Sequence, residues 1–147
     1  MACPFFHPTE PVETPGSGTR RQVPLGDTYD GECRASAPAC HPNDEELKNW
    51  CNLGYVREWC PRFLQSARVD AARFTVSSDR QDMIVITYVL EGDHRPLEHG
   101  RLEYGVAHDR FRNPPADPNV HQQALAYVRA YLRRKKSPAT SGGPSRR

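Results

Sequence analysis

Cys3, Cys33, Cys40, Cys51 and Cys60 are the residues of this 147-residue chain whose type most plainly carries chemistry, and all five lie within the first 60 positions. Thiolates bind zinc, cuprous copper and iron-sulfur clusters in preference to hard cations, so this one-sided placement points to a soft-metal site. An odd number of cysteines argues against a complete disulfide framework, in which thiols are paired evenly. The opening Met1-Ala2-Cys3-Pro4 begins no basic and then apolar signal sequence. That predicts a cytoplasmic setting, where thiols stay reduced or hold metal.

The spacings leave the metal open. Successive cysteines are separated by 29, 6, 10 and 8 residues, with no Cys-x2-Cys knuckle, which disfavours a zinc ribbon and the ordinary ferredoxin pattern alike. A [4Fe-4S] cluster assembled from distant loops fits the surroundings better. Cys3 and Cys60 each precede a proline, as the last cysteine of the bacterial ferredoxin run does, and Phe5, Phe6, Trp50, Tyr55, Trp59 and Phe63 supply rings that would exclude water. The expected ligands are Cys3, Cys33, Cys51 and Cys60. Cys40 could replace Cys3 but is set aside, because residues 36–42 carry no signal of order. Zinc on the same thiols is the alternative, and His7 and His41 could add nitrogen ligands. Free cysteine is also often a small buried hydrophobe, so unliganded thiols compete with both readings.

Residues 91–100 gather Glu91, Asp93, His94, Glu98 and His99. Such a cluster could do acid-base work, with Glu91 and His94 as the first residues to test, but a charged hairpin connection is normally just solvated. Phe74, Tyr88 and Tyr104 could stack bases on an open sheet and are more simply core. Gly16-Ser17-Gly18 lacks the ending of a phosphate loop, and neither Gly-x-Ser-x-Gly nor His-Glu-x-x-His occurs, so nucleotide hydrolysis and ordinary hydrolase chemistry are unsupported.

Net charge is +2, yet seven arginines and lysines follow Val128 with no acid among them, leaving −5 on the rest. A nucleic-acid footprint is therefore confined to the C-terminal end, where Arg129, Arg133, Arg134, Lys135 and Lys136 equally complement a helix terminus. No run approaches the roughly 18 to 20 apolar residues of a membrane span.

The elements that must position the thiols follow from pattern. Fourteen prolines and a 37% hydrophobic content predict much irregular chain, first of all a Pro-rich extended arm over residues 1–30 that wraps over the domain. Residues 31–136 form the predicted domain. In it, Asn43 or Asp44 caps a helix bearing Leu47, Trp50 and Cys51 on one face, Gly54 ends it, and a short turn leads to Cys60. Strands are expected at 73–76, 83–90 and 101–106, with a turn over 77–81 and a polar connection over 91–100. Asp117 caps a last helix with Pro118 at its first position and an apolar stripe of Val120, Ala124, Leu125, Val128, Tyr131 and Leu132. Residues 137–147 read as a disordered basic tail.

The expectation is thus an α+β fold: a small three-stranded antiparallel meander covered by a C-terminal helix and preceded by a Cys-rich, irregular and helical half. Its expected function is cysteine-ligated metal binding, iron-sulfur before zinc, in electron transfer or as an accessory to a redox assembly, non-enzymatic and with a protein partner. The alternative is a protein- or nucleic-acid-interaction domain whose cysteines hold structural zinc or none.

Overall fold

In the computed structural model the described residues are 1–12 and 24–136. The middle of the proposed arm and the basic tail lie outside them. Two antiparallel sheets and one long helix make up the fold. The smaller sheet pairs β1 (Phe6–Pro11) with β2 (Tyr29–Cys33), from Phe6 opposite Cys33 to Pro11 opposite Tyr29. Gly31 is needed at this crossing, since a Cβ there would meet the ring of Phe6 at 2.8 Å.

The larger sheet has the order β3 (Ala71–Asp79), β4 (Met83–Gly92), β5 (Arg95–Gly105), β6 (Arg110–Phe111). It corrects the expected three-stranded meander in three places. β3 continues to Asp79, so Ser77 and Ser78, which read as turn residues, belong to a strand, and Ser77 bonds Val85 O at 3.2 Å. The supposed connection over 91–100 is the end of β4, a two-residue turn and the first half of β5. That turn, Asp93-His94, has both φ values left-handed, 52° and 63°, as a type I′ hairpin demands. Asn-Gly would advertise such a turn. Here the conformation is held from outside instead: Asp93 N donates to Asp70 Oδ2 at 2.7 Å, His94 N donates to Tyr55 Oη at 3.1 Å, and the His94 ring stacks on Tyr55 at 4.3 Å. The third difference is β6, too short to leave a periodic signal, which pairs Phe111 with Tyr104.

The last helix, α2 (Pro118–Lys136), begins where Asp117 Oδ1 accepts from Asn119 N at 2.8 Å, as an N-cap should. Its buried Val120, Ala124 and Val128 share one core with Ile84, Ile86, Leu102 and Tyr104 of the large sheet and Phe6 and Tyr29 of the small one. α2 is thus the piece against which both sheets pack. No helix among the described residues is long and apolar enough to cross a membrane.

Candidate metal centre

The first half contains little regular structure, and its thiols are positioned by capped turns and long-range backbone bonds. Asn43 and Glu46 form a reciprocal capping box that starts α1 (Asp44–Glu46). A π-helical turn, Leu47–Cys51, continues it and ends on Cys51. Gly54 closes the element at φ 78°, where a Cβ would meet Met1 O at 2.6 Å, so glycine alone lets the N-terminal strand pass this closely. That segment is stitched in on three sides: Ala2 N to Ala72 O at 2.7 Å, Ala72 N to Ala2 O at 2.8 Å, and Cys3 N to Cys51 O at 3.1 Å.

Two buried amides that spacing gave no means of finding complete the scaffold. Gln123 of α2 donates Nε2 to Cys3 O at 2.7 Å and to Phe6 O at 2.8 Å. Asn52, directly after Cys51, donates Nδ2 to Tyr29 O and Leu47 O and accepts from Tyr29 N at 2.9 Å. Both are almost wholly buried, and such groups fix a single arrangement because a lost partner leaves a desolvated amide or carbonyl.

The four cysteines named as ligands are brought into one neighbourhood. Burial first, with charge on Cys33 and Cys60 adding to it, pushes the Cys3 thiol up to about 12. Burial likewise raises Cys51, which senses Cys3, Cys33 and Cys60. Cys3, Cys33 and Cys51 are buried and Cys60 is partly so. Cys40 sits at the margin, paired with Cys33 through the backbone. Phe5 and Phe63 meet edge to face at 5.0 Å beside them, and Trp50 packs on the same core. Tyr55 and Trp59 lie apart from this group, along the cleft at the β4–β5 turn.

Arg62 is the one cation in this group, and the sequence reading passed over it. Its Nη2 bonds Glu46 Oε1 at 2.9 Å, tying the Cys60 loop to the start of α1. Its Nε is buried with no hydrogen-bond partner among the described residues. The guanidinium's charge reaches Cys33 and Cys51, favouring their thiolates, and Cys40 and Cys60 in turn favour the guanidinium. Among the described residues, no three or more His, Cys, Asp or Glu side chains form a group that could hold a metal ion. His7 turns to Asn119 at 3.3 Å and His41 to Asp30 at 3.3 Å, so neither joins the thiols.

The other candidates resolve into structural roles. Glu91 accepts from Tyr55 Oη at 2.7 Å and pairs with Arg73 at 2.7 Å, which occupies both carboxylate oxygens. Phe74 and Tyr104 are core residues, Phe74 lying 5.8 Å from Tyr127 of α2. On the basic helix end Arg129 pairs with Asp109, Arg133 with Asp27 and Lys135 with Asp79, while Arg134 donates to Gly26 O. Much of that charge is answered within the fold.

Comparison of the chain with family models, with curated proteins and with solved structures finds no match to any of them.

Proposed function

We propose that this chain is a small cysteine-ligated metal protein, with Cys3, Cys33, Cys51 and Cys60 holding a [4Fe-4S] cluster that serves one-electron transfer or supports a larger redox assembly. The observation that carries the reading is the mutual proximity of four thiols from four separate segments, with the Arg62 guanidinium near three of them and its buried Nε without a partner among the described residues. A single zinc would need all its sulfurs about 2.3 Å from one point. A four-iron cluster spreads its thiolates over the corners of a larger body. The cluster is placed ahead of zinc because the four thiols come from four separate segments with no paired knuckle among them. A donor N–H with no acceptor is also what a cluster accommodates, because sulfide and thiolate sulfurs accept hydrogen bonds that help set the potential.

The second reading, an interaction domain with unliganded thiols, draws on the same burial. Cys3 and Cys51 are apolar enough in setting to remain protonated and to serve as small core residues. Anaerobic purification followed by a visible spectrum with iron, sulfide and zinc analysis decides between them. A brown protein with about four irons and four sulfides per chain is expected. One zinc per chain would make the centre structural, and neither metal would leave the second reading standing.

A further inference from the structure

Cys40 is the one thiol that the cluster reading leaves unused, and its position is specific. Cys33 N donates to Cys40 O at 2.8 Å and Cys40 N donates to Cys33 O at 3.0 Å, so the two residues form a hydrogen-bonded antiparallel pair. In such a pair the Cα atoms lie about 5.5 Å apart, within the roughly 4.4 to 6.8 Å that a disulfide spans, while the Cβ atoms lie near the far end of about 4.5 to 5.5 Å, so closing the bridge draws this isolated two-residue pairing together by about an ångström. Being directly opposite, the two side chains stand on the same face, and Cys40 is among the groups that act on the Cys33 thiol. Cys33 is buried, whereas Cys40 is partly open to solvent, which gives an oxidant access to one member of the pair. The short loop between them lets the backbone hold this register.

We propose that Cys33 and Cys40 form a redox pair that closes to a disulfide on oxidation by a peroxide and thereby withdraws Cys33 from the metal site. The Cys40 thiol gives up its proton as its sulfur attacks one peroxide oxygen, the O–O bond breaks, and Cys40 becomes a sulfenic acid while the departing hydroxide takes that proton and leaves as the first water. The Cys33 thiol then attacks that sulfur. The S–S bond forms, the S–O bond breaks, and the second water carries off the hydroxyl and the thiol proton. Two electrons have passed from the two sulfurs to hydrogen peroxide, and a dithiol reductant reverses the change by thiol-disulfide exchange. The disulfide itself requires only the geometry of the pair. Its consequence for the metal rests on the function proposed above.

The experiment treats the full chain, reduced and stripped of metal, with a stoichiometric amount of hydrogen peroxide, then alkylates and digests it with trypsin without reduction. Tryptic peptides 22–34 and 35–48 carry Cys33 and Cys40 respectively. They should appear cross-linked in the wild type, separate again after dithiothreitol, and stay unlinked in both Cys40→Ser and Cys40→Ala. Cys33 joined chiefly to Cys3, Cys51 or Cys60, or no linkage at all, overturns the pair. A parallel arm follows visible absorption of anaerobically purified protein during peroxide addition. Bleaching should be several-fold slower in Cys40→Ser than in the wild type, and equal rates would overturn the withdrawal of Cys33. A protein that purifies colourless yet forms the linkage refutes the cluster and leaves the pair intact, so the two failures are separable.

Discussion

The large sheet and the cysteine-bearing first half are held together by different means. In the sheet, β3, β4 and β5 are joined by near-continuous ladders between neighbours in sequence, with Ile84, Ile86 and Leu102 filling the space beneath α2. In the first half the longest helical run is a single capped turn passing into a π-helical one, and order comes from bonds that cross most of the chain, such as Gln123 to Cys3. Local pairing makes a region self-sufficient. A region assembled from distant strands of backbone needs something at its centre, and the centre here is a group of thiols.

That contrast is broken most severely at Cys51. With a cluster present, Cys51→Ser should remove essentially all iron and sulfide and strip hydrogen-exchange protection from the amides of Ala2, Cys3 and Phe6. Protection of Ile84 and Ile86 should persist. Uniform loss of protection across both regions would show that the sheet depends on the thiol centre as much as the first half does.

The converse substitution is Ile86→Ala. Ile86 is wholly buried in the sheet core, and truncating such a side chain costs about 2 to 5 kcal/mol. Urea unfolding should show that loss, with iron per folded molecule unchanged. Gln123→Leu comes next, since it leaves the carbonyls of Cys3 and Phe6 without their donor. A loss of about 1 to 3 kcal/mol is expected, with protection falling in the first half before the sheet.

What the sequence made legible follows the same division. β4 was readable because Met83 to Leu90 is almost all β-branched or apolar, and α2 because Asp117, Pro118 and a periodic stripe mark its start and face. Asn43 was readable as a cap because Glu46 stands three residues on. The Asp93-His94 turn was not, because its left-handed residues are neither glycine nor asparagine and are stabilised by Asp70 and Tyr55 from elsewhere in the chain. Cys3, Cys33, Cys51 and Cys60 stand out in the sequence only by their bias to its first half, and nothing in their spacing marks how they lie in space. Arg62 is not legible because nothing local marks an arginine that bonds Glu46 and whose charge reaches Cys33, Cys40, Cys51 and Cys60.

A smaller effect sits where the two regions meet. The Tyr55 hydroxyl bond, opposed by burial and aided by Arg73 and the charge of His94, holds the Glu91 carboxyl below its ordinary 4.5. A carboxylate with a depressed folded pKa contributes stability that is present above its unfolded pKa and lost as pH falls through the folded one. Stability should therefore fall as the pH drops below about 4.5. Glu91→Gln should flatten that part of the curve by less than about 1 kcal/mol, because Arg73 is half-exposed and screened. An unchanged acid limb would assign it to other carboxylates.

The smallest effect on folding should come from Arg62→Gln, and it bears most directly on the centre. Its ion pair with Glu46 is partly solvated, so its removal should cost no more than about 1 kcal/mol. With the proposed cluster bound, its charge would become one unit more negative on reduction, and a nearby guanidinium would stabilise that state more than the oxidised one. Replacing it with a neutral amide should make reduction harder by about tenfold in the equilibrium constant, equivalent to about 59 mV for one electron. Arg62→Lys, which keeps the charge but not the Nε donor, should recover part of this shift. Equal potentials in the wild type, Arg62→Gln and Arg62→Lys would mean that the buried Nε is aimed past the cluster rather than at it. The guanidinium would then matter only as the tether that joins the Cys60 loop to the cap of α1.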